Sequence, residues 1–276
     1  MLPDPVLLIL GVVVGAFGTL VGAGGGFVLV PLLALLEPAL ATAAVTGVSL
    51  AVVAFNATSG ALAYARDRRV DYRSGIPFAL ATLPGSVLGA IITQYLDRRW
   101  FDIAFSVLLV ALAGLLITRG EAVPRAELAE GSGRWHRHRE LTDRAGTLHR
   151  YRVHMPTGVA ISFVVGFASS LLGIGGGIIH VPVLIGVLGF PTHIATATSH
   201  FVLAIMATAG TITHIVAGDL VGLERQTILL GVGAVVGAQL GARLSTKVHG
   251  LLIVRALAVG LAFVGLRLGA RSLFGW

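Results

Sequence analysis

Cysteine is absent from the 276 residues, which excludes disulfides and thiolate metal sites. Charge is scarce. Asp, Glu, Lys and Arg make up 12% of the chain, against about 25% in a soluble domain. That is too little polar surface to cover a water-soluble ball of this size. Carboxylates are few inside the apolar stretches, which argues against a carboxylate proton relay or a dicarboxylate cation site. No H-E-x-x-H occurs. The glycine runs do not complete G-x-G-x-x-G, because the sixth position is Phe27 or Ile178. Neither run ends in GK[ST], and no strand pattern precedes them, so nucleotide loops are excluded too.

What is present is apolar. Hydrophobic residues make up 55% of the chain, and the mean hydropathy is +0.90. These values describe an integral membrane protein. The net charge of +7 sits in loops between apolar stretches, which fits a cytoplasmic membrane face and not a nucleic-acid partner. The N-terminal apolar run lacks a basic leader, so it is expected to stay as the first span.

Eight apolar stretches follow one another: Val6–Leu36, Thr42–Tyr64, Ile76–Leu96, Phe101–Thr118, Thr157–Leu188, Thr192–Val216, Gln226–Leu244 and Leu251–Leu268. A helical span needs about 20 residues. Two stretches are longer than that, and each contains a glycine run, GAGGGFVLVP at Gly22–Pro31 and GIGGGIIHVP at Gly173–Pro182. Excess length predicts a tilt or a break.

The halves read as repeats. Gly22 and Pro31 recur as Gly173 and Pro182 at an offset of 151. Ser49, Thr58 and Gly60 recur as Ser199, Thr208 and Gly210 at 150, and GSVLGA at Gly85 recurs as GAVVGA at Gly233 at 148. The expected fold is therefore an all-α polytopic membrane protein of about eight helices in two homologous four-helix repeats, with broken or re-entrant glycine segments. A first transmembrane repeat would cover 1–118, a basic cytoplasmic loop 119–155 and a second repeat 156–276. Four crossings per half put Ala65–Arg73, the central arginines and the C-terminal arginines on one side, but leave Arg98, Arg99, Arg243 and Lys247 opposite. If each glycine segment instead folds back, the repeats are inverted.

Three consecutive glycines are poor helix formers, each costing about 1 kcal/mol against alanine. An opened helix in lipid leaves N–H groups to be satisfied, and an anion can do so at a helix start. Gly24, Gly25 and Gly26 with Gly175, Gly176 and Gly177 are thus candidates for one midplane anion site. Gly85, Gly89, Gly233, Gly237 and Gly241 are read as close-packing positions. Ser49 and Ser199 are candidate neutral donors, as is Asn56, which is costly to bury. His180 and His200 stand where the first half has Leu29 and Leu50. Histidine titrates near neutral pH, which suits coupling of anion movement to protons. The ordinary alternative for both is a neutral ring bonded to a nearby carbonyl or hydroxyl. His136, His138, His149 and His154 read as part of a solvated basic face, and DRAGTLHRY at Asp143–Tyr151 as a small hairpin.

With GAGGGFVLVP, GIGGGIIHVP, ATATSHFVL and DRAGTLHRY in view, the chain resembles the TauE/SafE sulfite exporter family, also called the four-toluene sulfonate uptake permease family. The resemblance implies a multi-pass permease of the cell membrane for small sulfur-containing or organic anions, such as sulfite or sulfonates. It implies export, and carries Gly24–Gly26 and Gly175–Gly177 as site residues, with Ser49 and Ser199 beside them. The expected partners are a small anion and the lipid bilayer, with a homo-oligomer left open. No cofactor, no metal and no enzymatic activity are expected. An anion channel is the runner-up reading and an intramembrane enzyme the third. Ser199 and His200 are adjacent in sequence and point to different helix faces, which disfavours the enzyme.

Overall fold

The computed structural model describes residues 3–119 and 135–245, together with 258, 259, 262, 263, 265–267, 269 and 270. Most of the expected eighth span, Leu251–Leu268, lies outside the described residues, as do Lys247, Arg271 and residues 120–134. The elements are α1 (Asp4–Val21), α2 (Gly26–Leu36), α3 (Thr42–Arg66), α4 (Tyr72–Thr93), α5 (Arg98–Arg119), β1 (His136–Thr142), β2 (Leu148–His154), α6 (Met155–Leu172), α7 (Gly177–Gly186), α8 (Thr192–Val216) and α9 (Glu224–Leu244).

Six of these, α1, α3, α4, α6, α8 and α9, are long and apolar enough to cross a membrane. Both over-long stretches are broken. Val6–Leu36 becomes α1 and α2, and Thr157–Leu188 becomes α6 and α7. With 11 and 10 residues, α2 and α7 fall well short of the ~20 that a span needs.

Small residues set the helix pairing. A β-carbon on Gly15 would lie 2.5 Å from the Ala234 carbonyl, and one on Gly241 would meet Ala16. So α1 and α9 lie side by side and run in the same direction. In the same way Gly85 meets Phe163 and Phe167, and Gly89 meets Leu171, which sets α4 parallel to α6. The close-packing role expected for Gly85, Gly89, Gly233, Gly237 and Gly241 is what these contacts show. Between the two pairs, α3 and α8 run antiparallel. Gly47 near the start of α3 packs on His214 near the end of α8, while Tyr64 near the end of α3 stacks edge-on against His200, ring centroids 5.3 Å apart.

The short helices turn back. Gly189, just past α7, lies against the Arg152 carbonyl just before α6, and Phe190 stacks on Tyr151 at 4.8 Å. α7 therefore ends beside the point where α6 began. In the other half, Leu7 of α1 and Leu33 of α2 share one apolar cluster with Leu220 and Leu223 of the α8–α9 loop.

The antiparallel hairpin β1–β2 pairs Arg139 with Tyr151 and closes over Asp143–Thr147; it contains the small hairpin expected at DRAGTLHRY and extends beyond it on both sides. It docks on one end of the helices. The Tyr151 hydroxyl donates to Asp71 Oδ2 at 2.9 Å, and Arg139 Nε donates to Ser74 Oγ at 2.9 Å. Burial and the adjacent Asp71 charge push the Tyr151 hydroxyl far up, so it remains a donor. Beneath it, Tyr151 and Val153 close an apolar cluster with Phe78, Leu184, Leu188, Phe190 and Ile194. Ala242 near the end of α9 packs with Tyr64 and Val70, so Arg243 belongs to this hairpin end. The opposite end holds the Arg225–Asp4 ion pair and the Arg98–Asp102 pair.

Candidate functional site

The two helix breaks share one backbone design. α1 stops at Gly22 (φ 84°), whose left-handed conformation lets Ala23 N–H return to the Gly18 carbonyl at 2.8 Å. Gly24 and Gly25 follow with φ of 76° and 86°, and α2 starts at Gly26. In the second half Gly173, Gly175 and Gly176 repeat this at 68°, 77° and 66°, and α7 starts at Gly177. Residues with side chains rarely adopt these angles, which is why glycine fills all six positions.

The breaks cross each other. A β-carbon on Gly26 would lie 2.6 Å from the Gly173 carbonyl oxygen, and one on Gly177 would meet the Gly22 carbonyl and sit 2.7 Å from Ala23 Cα. The contacts are reciprocal: each break ends against the beginning of the other. α3 and α8 wall them in. Gly22 packs on Thr196 and Gly173 on Thr46, while Gly24 meets Val53 and Leu203 and Gly175 meets Val53.

The starts of α2 and α7 thus lie together, buried, at the positive ends of the two short helices; in this conformation Gly24 N–H donates to the Gly18 carbonyl at 3.1 Å and Gly177 N–H to the Gly175 carbonyl at 2.7 Å. From residue 5 to 36, and from 156 to 200, no Asp, Glu, Lys or Arg occurs. An anion here would be held by backbone and hydroxyl groups alone. In this conformation the breaks touch.

The hydroxyls divide unequally. Ser49 Oγ donates to the Gly173 carbonyl at 2.6 Å, tying α3 to the second break. Ser199, its counterpart on α8, is fully buried, yet its Oγ has no partner among the described residues. Ser169 Oγ is likewise buried and unpartnered, 2.6 Å from where a Gly176 β-carbon would stand. The sequence reading missed Ser169, since a serine in an apolar helix most often bonds to its own backbone.

Asn56, one turn along α3 from Val53, is engaged by α1. Its Nδ2 donates to the Gly15 carbonyl at 2.8 Å, and its Oδ1 accepts from Thr19 Oγ1 at 3.1 Å. Both ends are used in joining α3 to α1. The histidines have one partner each. His180 Nε2 meets Ser162 Oγ at 3.3 Å, and His200 Nδ1 meets the Thr196 carbonyl at 3.3 Å. Both rings are buried, and His180 Nδ1 and His200 Nε2 have no partner among the described residues. A hidden pair also emerges at the opposite end from the hairpin: His214 Nδ1 lies 2.7 Å from Asp219 Oδ2. At the hairpin tip, the Thr147 N–H, with His149 and the Ala145 N–H, holds the Asp143 carboxyl below its ordinary 3.8.

Six helices long and apolar enough to cross a membrane, with two short helices that start at crossed glycine breaks, describe a multi-pass membrane protein. The family model described as "Sulfite exporter TauE/SafE" matches residues 7–268. The chain belongs to the TauE/SafE sulfite exporter family. It is 32% identical over 275 residues to the "Probable membrane transporter protein YunE" of Bacillus subtilis (strain 168), covering 98% of each chain. A "Probable membrane transporter protein" of Xylella fastidiosa (strain Temecula1) is 32% identical over 87% of each. The "Probable membrane transporter protein MJ0441" of Methanocaldococcus jannaschii is 25% identical, over 77% of this chain and 73% of the relative. No solved structure matches the chain.

Proposed function

We propose that the protein is a secondary carrier that exports small sulfur-containing or organic anions, sulfite or sulfonates among them, by alternating access. The anion would bind where the two breaks cross, on the N–H groups of Gly24–Gly26 and Gly175–Gly177, with Ser169 and Ser199 as hydroxyl donors and Ser49 holding the second break in shape. His180, one turn into α7, packs on Ser162, and His200, next to Ser199, packs on Tyr64. Asn56 serves the α1–α3 joint.

The carrying observation is the reciprocal contact of Gly26 with Gly173 and of Gly177 with Gly22. Two half-helix starts converging on a charge-free interior suit an anion that must leave again. The same reciprocity supports two homologous repeats. α1 packs on α9 of the other half, and α4 packs on α6, the first helix of the other half. Each repeat would contribute a fold-back pair, α1–α2 or α6–α7, before its crossing helices, so the repeats are inverted. The positive-inside rule then makes the hairpin end cytoplasmic: Arg66, Arg68, Arg69, Arg73 and Arg243 gather there, and Arg98, Arg99 and Arg225 lie opposite.

Counterflow in proteoliposomes tests the reading. Vesicles loaded with unlabelled sulfite, sulfoacetate, sulfate or acetate are diluted into labelled anion. Saturable trans-stimulated uptake of one sulfur anion is the expected result. Uptake that rises linearly with concentration and ignores the trans anion would make the protein a channel. No uptake of any of the four would remove the sulfur-anion assignment.

A further inference from the structure

We infer that His214 and Asp219 form the coupling-proton site of this carrier, set at the end opposite the hairpin; the inference rests on the carrier reading above. His214 lies in the last turns of α8 and its side chain is fully buried, while the Asp219 side chain is 17% exposed. The two are joined at 2.7 Å, and Asp219 N–H also returns to the His214 carbonyl at 3.0 Å. The remaining ring nitrogen, Nε2, is buried and has no partner among the described residues. With Nδ1–H donating to the carboxylate, the pair carries one negative charge. A proton added at Nε2 makes the pair neutral.

That charge arithmetic separates His214 from His180 and His200. Their partners are Ser162 and the Thr196 carbonyl. A proton on either would leave a buried positive charge with no counter-ion, at a cost of several kcal/mol. Of the three, His214 alone has a carboxylate on its ring.

The surroundings add no competing charge on the ring. α3 brings Gly47, and the α8–α9 loop brings Leu220 and Asp219. Elsewhere at this end, Arg225 pairs with Asp4, Arg98 pairs with Asp102, and Glu224 accepts the Gly222 N–H. Glu37 caps α2 with one buried oxygen unpartnered, and Arg99 is the second residue of α5; neither bonds to His214 among the described residues.

The position also reaches the anion site. The His214 ring rests on Gly47, with the Cγ 3.2 Å from where a β-carbon of Gly47 would stand. Two residues along α3, Ser49 holds the Gly173 carbonyl at the second break. Water reaches Nε2 only when α3 and α8 part at this end, so loading the proton and opening this end are one event.

Two measurements on the full-length protein test this. In the first, histidine ring nitrogens are titrated by nitrogen-15 NMR without any substrate, the His214 signal being assigned by its loss in His214→Gln. The His214 signal is expected to titrate as pH is lowered, with those of His180 and His200 unchanged over the same range. Asp219→Asn is expected to move that titration at least about one pH unit lower, since an opposite charge favours the protonated ring. A flat His214 signal, or one unmoved in Asp219→Asn, overturns the proposal. In the second, uptake of the substrate anion driven by a proton gradient is compared with counterflow at equal pH. His214→Gln should lose gradient-driven uptake by about tenfold, the scale of one pKa unit of coupling, and keep counterflow within twofold. Equal gradient-driven uptake in wild type and variant also overturns it. Wild-type protein that transports none of the four anions removes the sulfur-anion assignment, and the substrate-free titration still decides the proton site.

Discussion

Ser49 and Ser199 occupy matching places on α3 and α8, yet the structure treats them differently. Ser49 donates to the Gly173 carbonyl, and Ser199 donates to nothing among the described residues. Ser49→Ala leaves that carbonyl without its side-chain donor and is expected to destabilise the protein by about 1–3 kcal/mol, seen as a lower Tm in detergent. Ser199→Ala removes a buried hydroxyl with nothing to lose in this conformation. Its Tm should hold or rise. If Ser199 binds the anion, its KM in counterflow should rise about tenfold, the equivalent of 1.4 kcal/mol. A KM unchanged in Ser199→Ala would strike Ser199 from the site. The matching positions were legible as a repeat of serines. Which one is already engaged was not, because the Gly173 carbonyl lies 124 residues away in the chain. Asn56 shows the same limit: its burial was expected from its span, but the Gly15 and Thr19 partners depend on how α1 leans on α3.

At the scale of elements, the breaks were readable because glycine runs inside over-long apolar stretches have few other uses. The left-handed φ at Gly22, Gly24, Gly25 and at Gly173, Gly175, Gly176 gives the physical reason. The direction of α2 and α7 after the breaks was not readable, since hydropathy reports length and not heading. Gly176→Leu tests the second break. At φ 66° a side chain costs about 1–2 kcal/mol, and its β-carbon would press on Ser169 Oγ. The variant should still insert and show a monodisperse profile while losing measurable anion binding; normal affinity would sink the cradle.

The hairpin offers a pH prediction of definite sign. Asp143 is held below its ordinary 3.8, chiefly by the Thr147 N–H. A depressed carboxyl contributes its stabilisation above pH 3.8 and loses it as pH falls through the lower folded value. Exchange protection of the Thr147 amide should therefore persist at pH 5 and 4 and fade only below. Asp143→Asn should weaken that protection at neutral pH and flatten its acid dependence. Tyr151→Phe should loosen the hairpin too, because it removes a donor to the Asp71 carboxylate, worth about 1.5–3 kcal/mol for a charged acceptor. Faster protease cleavage at the tip would register it.

For the whole molecule, the decisive issue is which end of α8 faces which side. Four crossings per half would put the α8–α9 loop in the cytoplasm, beside the hairpin. The fold-back reading proposed above would put that loop outside, because α8 then starts at the hairpin end and crosses once. The inverted arrangement also brings Arg243 to the basic side, where the four-crossing count had left it stranded. The chain has no cysteine, so single cysteines can be read without a background. Val221→Cys sits in the α8–α9 loop, where Val221 is 78% exposed, and Ala145→Cys sits at the exposed hairpin tip. With an impermeant maleimide on intact cells, Val221→Cys should label fully and Ala145→Cys only after permeabilisation. Labelling of neither until the cells are opened would restore four crossings per half, and with them parallel repeats. The His214–Asp219 pair would then open to the cytoplasm, and its proton would enter from that side.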